Sequence, residues 1–194
     1  MAARASKKTK SADGPAPATP KRRTRLSIAV EVDDGDWSDM AAFEAMVAEV
    51  GAKLTDSLEF PTAKARACIA LSSDEGVRIL NKQFRSLDKP TNVLSFPGHN
   101  PIIHSRHELN LGDIILAEET LVREAAEMGI PVGHHFRHLL LHGLLHLMGY
   151  DHETDTEAAE MEALETAILA ELGIPDPHAA PLHLLPKAST KKEK

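Results

Sequence analysis

Cys68 is the only cysteine in this 194-residue chain, so no internal disulfide can form. That excludes the disulfide-stapled secreted scaffolds and suits a reducing cytoplasm. Long apolar runs are missing too: none reaches membrane-spanning length, and the polar start lacks the apolar core of a secretory signal. A cytoplasmic protein with no membrane attachment is therefore expected. Positive charge is scarce over residues 26–176, which hold ten Lys/Arg against 27 Asp/Glu. A balance that acidic argues against indiscriminate nucleic-acid binding by the whole domain. A polyanion would need a local basic strip or the basic ends.

Those ends differ sharply from the middle. Residues 1–25 carry eight Lys/Arg and one acid, and the residues beyond 176 carry four lysines and one acid. Both stretches offer little to bury, so 1–25 reads as a disordered basic arm and 176–194 as a flexible Lys-rich tail. The arm is lysine-rich without a clear amphipathic pattern, which favours this reading over an organelle transit segment. Between them, residues 26–175 form one domain long enough to bury a full core.

Its periodicity mixes two and 3.6. Strands are expected over 26–32, 65–71, 92–96 and 111–117, the third stopped by Pro97 and the fourth headed by Gly112-Asp113. Cys68, in the second, reads as a small buried core residue. Helices are expected over 38–54 with Ser38 or Asp39 as N-cap, from Ser73 towards Phe84, over 118–128, over 131–148 and over 154–172. The last carries an apolar stripe of Met161, Leu164, Ile168 and Leu172. The fold class is α+β: one small mixed sheet packed with about five helices.

The fourth helix carries the chemistry. Its end reads His-Gly-Leu-Leu-His-Leu-Met-Gly-Tyr-Asp-His over residues 142–152. His142 and His146, four apart, share one helix face and can offer two nitrogens to one metal. On a continued helix His152 would sit about 240° round the axis and roughly 9 Å along it. Gly149 can adopt the left-handed conformation that ends a helix and turns the chain, returning His152 to the pair. Three imidazoles and an open fourth position are the ligand set of a catalytic zinc, one per chain, on a central zincin-like helix. The run resembles the zinc-protease pattern His-Glu-x-x-His-x-x-Gly-x-x-His, except that Gly143 stands where the glutamate base belongs. Hydrolase ligands are present and the peptidase base is absent. His138 lies too far along the axis to share an ion with His146; it is either a residue behind the ligands or facing substrate, or a plain core or surface histidine. Asp151 either orients a ligand imidazole or helps form the turn.

A second constellation spans 80–97, Leu-Asn-Lys-Gln-Phe-Arg-Ser-Leu-Asp-Lys-Pro-Thr-Asn-Val-Leu-Ser-Phe-Pro. Arg85, Lys82 and Lys89 would make a phosphate-binding cluster in an acidic domain. Arg85 by itself reads equally as a solvated helix-end charge.

Together these segments resemble the YbeY family of bacterial rRNA-maturation endoribonucleases. Four blocks match in order: Leu80-Asn81 through Phe84-Arg85 with Asp88-x-Pro90-Thr91, then Val93 to Pro97, then Leu111 to Ile114, then His142-Gly143 through Asp151-His152. One departure is Asn92, where the family often has aspartate. The resemblance covers roughly residues 26–175. It implies a small fold distantly similar to zinc peptidases, one zinc held by His142, His146 and His152, and single-strand-specific RNA cleavage. It implies a role in small-subunit rRNA 3′-end maturation and ribosome quality control, with rRNA, the small subunit and its proteins as partners. Arg85 would reach the RNA phosphate and His142 would serve catalysis as a ligand, with Lys82, Lys89 and His138 as further substrate-binding candidates. The proton acceptor stays open, His138 being one candidate. Two other functions also stay open: a metallopeptidase-like hydrolase, against which Gly143 counts, and a non-catalytic ribosome-assembly factor with a structural zinc and RNA-holding tails.

Overall fold

The computed structural model describes residues 24–62, 64–98 and 108–179. The basic arm up to residue 23 and the tail from residue 180 lie outside the described residues. Within them the chain runs β1 (Arg25–Val32), α1 (Met40–Ser57), β2 (Lys64–Ser72), α2 (Asp74–Arg85), β3 (Val93–Pro97), β4 (Leu109–Ala117), α3 (Glu118–Met128), α4 (Val132–Leu147) and α5 (Asp155–Glu171). The strands form one mixed sheet in the order β1-β2-β4-β3. β1 and β4 flank β2 in parallel, and β3 runs antiparallel to β4. This is the α+β architecture expected, with five helices among the described residues.

Helix starts follow the side chains available. Asp39, Ser73 and Thr154 each accept a backbone N–H from the first turn of α1, α2 and α5, and Thr154 forms a full capping box with Glu157. Alternation along β4 divides the core. Ile114 and Leu116 join a large cluster with α1, α4 and α5, while Ile115 and Ala117 face Val77 and Leu80 of α2. α4 is the central helix: Phe136, Leu140, Leu141, Leu144 and Leu145 are fully buried. Trp37, Phe43 and Phe136 close one end of this core edge-to-face, with centroids 4.9 Å apart for Trp37–Phe43 and for Phe43–Phe136.

Three local expectations are corrected. Cys68 is half-buried rather than core, because it points to the sheet face that carries only the smaller cluster. Pro97 belongs to β3 instead of stopping it; β3 pairs only with β4, and an edge strand tolerates a missing N–H. Gly112 lies inside β4 rather than at its head. The β2–β4 register shifts beside it, and a Cβ there would stand 2.1 Å from the Phe96 carbonyl oxygen, so this bulge (φ +123°) needs glycine.

Candidate metal centre

α4 ends where the sequence reading placed its hinge. Met148 caps it, Gly149 takes φ 92°, and the chain turns back through Tyr150 and Asp151. The turn brings the His152 ring to 5.5 Å from His142 and 5.0 Å from His146, centroid to centroid. One ring nitrogen from each of the three lies within 4.8 Å of the others, a group able to hold a metal ion. Asp151 serves the turn, its carboxylate accepting the His152 backbone N–H at 2.8 Å.

Tautomers can be assigned by what each outer nitrogen meets. His146 Nδ1 faces the Tyr150 carbonyl oxygen at 3.0 Å, an acceptor only, so Nδ1 carries the proton. His142 Nδ1 faces the Glu165 carboxylate at 2.8 Å and donates to it. In the neutral rings both Nε2 atoms are then bare lone pairs, and they face each other at 3.0 Å. Two lone pairs that close repel unless a cation lies against them. A proton on His146 is disfavoured, since burial first, then electrostatic repulsion from the adjoining His142 ring, push its pKa down. A metal ion fits this donor set, and the partners on Nδ1 are the outer contacts that orient ligating histidines.

Glu165 was not anticipated. Only 1 % exposed, it lies on α5 between Met161 and Ile168, within the apolar stripe. A lone carboxylate on an otherwise buried face was the signal available. Its pKa feels burial, which raises it, but the bonds from His138 and His142 hold it far below the carboxylate range. His178 was also missed because it falls in the segment read as tail. There it meets Glu165 at 2.6 Å. His138 faces Glu165 and His178, apart from the triad's ligand nitrogens.

Arg85 closes α2 and is exposed, followed by Ser86 in the left-handed conformation. Among the described residues its guanidinium makes no hydrogen bond or ion pair. Lys82 is committed to Asp88 at 2.6 Å, an acid that also pairs with Arg78. Lys89 is exposed and contributes its backbone oxygen to Asn81. The three cations thus differ: one is neutralised and Arg85 is available. Asn92 donates its amide to Glu124 at 3.0 Å, and Glu124 in turn meets the buried His135 at 2.8 Å. An aspartate at 92 would set two carboxylates against each other, so the amide suits this neighbourhood.

Comparison with known proteins gives concordant matches. The family model for endoribonuclease YbeY matches residues 30–173. A Bradyrhizobium diazoefficiens protein named endoribonuclease YbeY is 48 % identical over 146 residues, spanning 74 % of this chain and 80 % of its own. Namesakes from Nitrobacter winogradskyi and Rhodopseudomonas palustris are 49 % and 45 % identical, over 75 % and 83 % of this chain and 78 % and 84 % of theirs. A Thermotoga maritima protein solved in solution shares the fold with a TM-score of 0.50 at 20 % identity, covering 79 % of this chain and 100 % of that one.

Proposed function

This chain belongs to the endoribonuclease YbeY family, and from that premise we propose that it is a zinc-dependent endoribonuclease acting on single-stranded RNA. Its substrate is ribosomal RNA, at the small-subunit 3′ end and in ribosome quality control. Its setting is the cytoplasm, with the small subunit and its proteins as partners. Among the described residues no helix is long and apolar enough to cross a membrane.

The observation that carries this reading is the pair of lone pairs on His142 and His146, turned inward beside His152. Three imidazoles, with His152 exposed, suit a catalytic zinc with an open position better than a closed structural one. Bound zinc supplies Lewis acidity towards a phosphoryl oxygen and lowers the pKa of a water.

The remaining work falls to the chain. Glu165 keeps the His142 proton on Nδ1, and the Tyr150 carbonyl does the same for His146, so both Nε2 atoms stay available. Arg85, without a hydrogen-bond or ion-pair partner among the described residues, neutralises charge that develops on the phosphate. Gly143 supplies no carboxylate base, consistent with a phosphodiester substrate that needs charge stabilisation more than a base. The acidic domain repels a polyanion elsewhere, which favours approach at such uncompensated cations.

The test is cleavage of a single-stranded RNA and its duplex by the full chain and by Arg85→Ala. The variant is expected to retain zinc and lose activity by on the order of 10²–10³-fold, as for removal of one transition-state charge donor. Unchanged cleavage by Arg85→Ala would remove that role, and cleavage of duplex and single strand alike would remove the strand specificity.

A further inference from the structure

Glu165 has more partners than the triad uses. Its Oε1 holds His142, while its Oε2 meets the Nε2 of His178 at 2.6 Å and that of His138 at 3.5 Å. Among the described residues its ion-pair partners are these three imidazoles, with no lysine or arginine. A carboxylate buried to 1 % exposure, with imidazoles as its only ion-pair partners among the described residues, has no fixed positive charge beside it. His138 and His178 are 19 % and 29 % exposed, so the cluster opens to solvent on their side.

One nitrogen of His138, one oxygen of Glu165 and one nitrogen of His178 lie within 4.8 Å of one another. They come from three elements: α4 one turn before His142, α5, and the segment after α5. That last segment is held in place, since Asp176 accepts both the Thr166 hydroxyl at 3.0 Å and the His178 backbone N–H at 2.9 Å. Two imidazoles and one carboxylate form a set known from zinc sites that keep a solvent position. The imidazoles select zinc-like transition metals over magnesium or calcium.

We infer that His138, Glu165 and His178 form a second divalent-cation site of the zinc class, coupled to the triad through the two oxygens of Glu165. One oxygen orients His142 and the other is a ligand of the second ion. On binding, His138 and His178 each present a bare Nε2 and keep their proton on Nδ1. The second ion compensates the buried charge and ties residues 176–179 to α4 and α5. This site does not depend on the RNA-cleavage reading.

The experiment counts zinc per chain, by elemental analysis after equilibrium dialysis against zinc, on the untagged full chain. Wild type is expected to hold two ions, and His178→Ala and His138→Ala one each. His146→Ala, which disrupts the triad, is expected to keep one. In cobalt-loaded protein, His178→Ala should lose one of two sets of visible bands. One ion in saturated wild type, or no decrease in His178→Ala, overturns the site. His178 is an exposed residue beyond the last helix, so that variant remains informative if His138→Ala fails to fold. RNA cleavage by a chain that holds a single zinc contradicts the second site alone; two ions without cleavage contradict the proposed activity alone.

Discussion

Replacing Gly143 with alanine sets two opposed effects of known size against each other. Within an ordinary exposed helix the change stabilises by about 1 kcal/mol, because alanine loses less backbone entropy. Here the added Cβ would meet Ile114 Cδ1 at 2.9 Å, Ile114 Cγ2 at 3.1 Å and Ser95 Oγ at 3.1 Å. The Cδ1 can rotate aside, but Cγ2 is bonded directly to Cβ and moves only by a χ1 change in a fully buried, β-branched side chain or by a shift of β4 itself. Overpacking of this kind costs about 1–3 kcal/mol. The contact wins, and the net destabilisation is about 0–2 kcal/mol, the overpacking cost less the helix gain. For a domain near 150 residues each kcal/mol lowers the melting temperature by about 2–4 °C. Thermal unfolding of the metal-free variant beside wild type reads this directly. A variant stabilised by about 1 kcal/mol, as at an exposed helix position, would refute the close approach of α4 to β3 and β4. The same contact bears on chemistry. A glutamate at 143 would have to enter the space of Ile114 and Ser95, so the peptidase base cannot be restored without shifting the helix that carries the ligands.

Glu165→Gln keeps the shape but removes the charge that meets His142 Nδ1, and the zinc affinity of the triad should fall about 10–100-fold, as for loss of other outer partners of ligand histidines. Competition with a chromophoric chelator measures it, and equal affinity would deny the carboxylate any orienting role. Metal-free protein should also lose stability in mild acid. The pKa values of His135 and His146 are pushed below 6.5, in each case mainly by burial, so the unfolded chain binds more protons. That contribution is complete above 6.5 and disappears as pH falls through the lowered values. Urea midpoints measured downwards from neutral pH should decline in that window, before Glu165 titrates in its lower one; a flat midpoint would reject neutral burial of these rings.

Much of the fold could be read from periodicity, because β1, α1, α2, α3 and α5 alternate more buried and more exposed positions at the period of their own element. The triad was legible for a local reason: helix spacing and one glycine fix the relation of His142, His146 and His152 within eleven residues. Glu165 was not, since its contact with His142 joins residues 23 positions apart and depends on how α5 packs on α4. The place of Pro97 inside β3 is not legible locally, because edge position is a property of strand order, which no single segment encodes. The pairing of Lys82 with Asp88 was hidden for a different reason, as it follows from the turn that Ser86 makes in the left-handed conformation.

The most direct test of the account follows zinc content and single-stranded RNA cleavage in the same preparations of wild type and His146→Ala. His146→Ala is expected to lose the triad's zinc and its cleavage together while remaining folded. Cleavage at the wild-type rate by a variant lacking that zinc would contradict it.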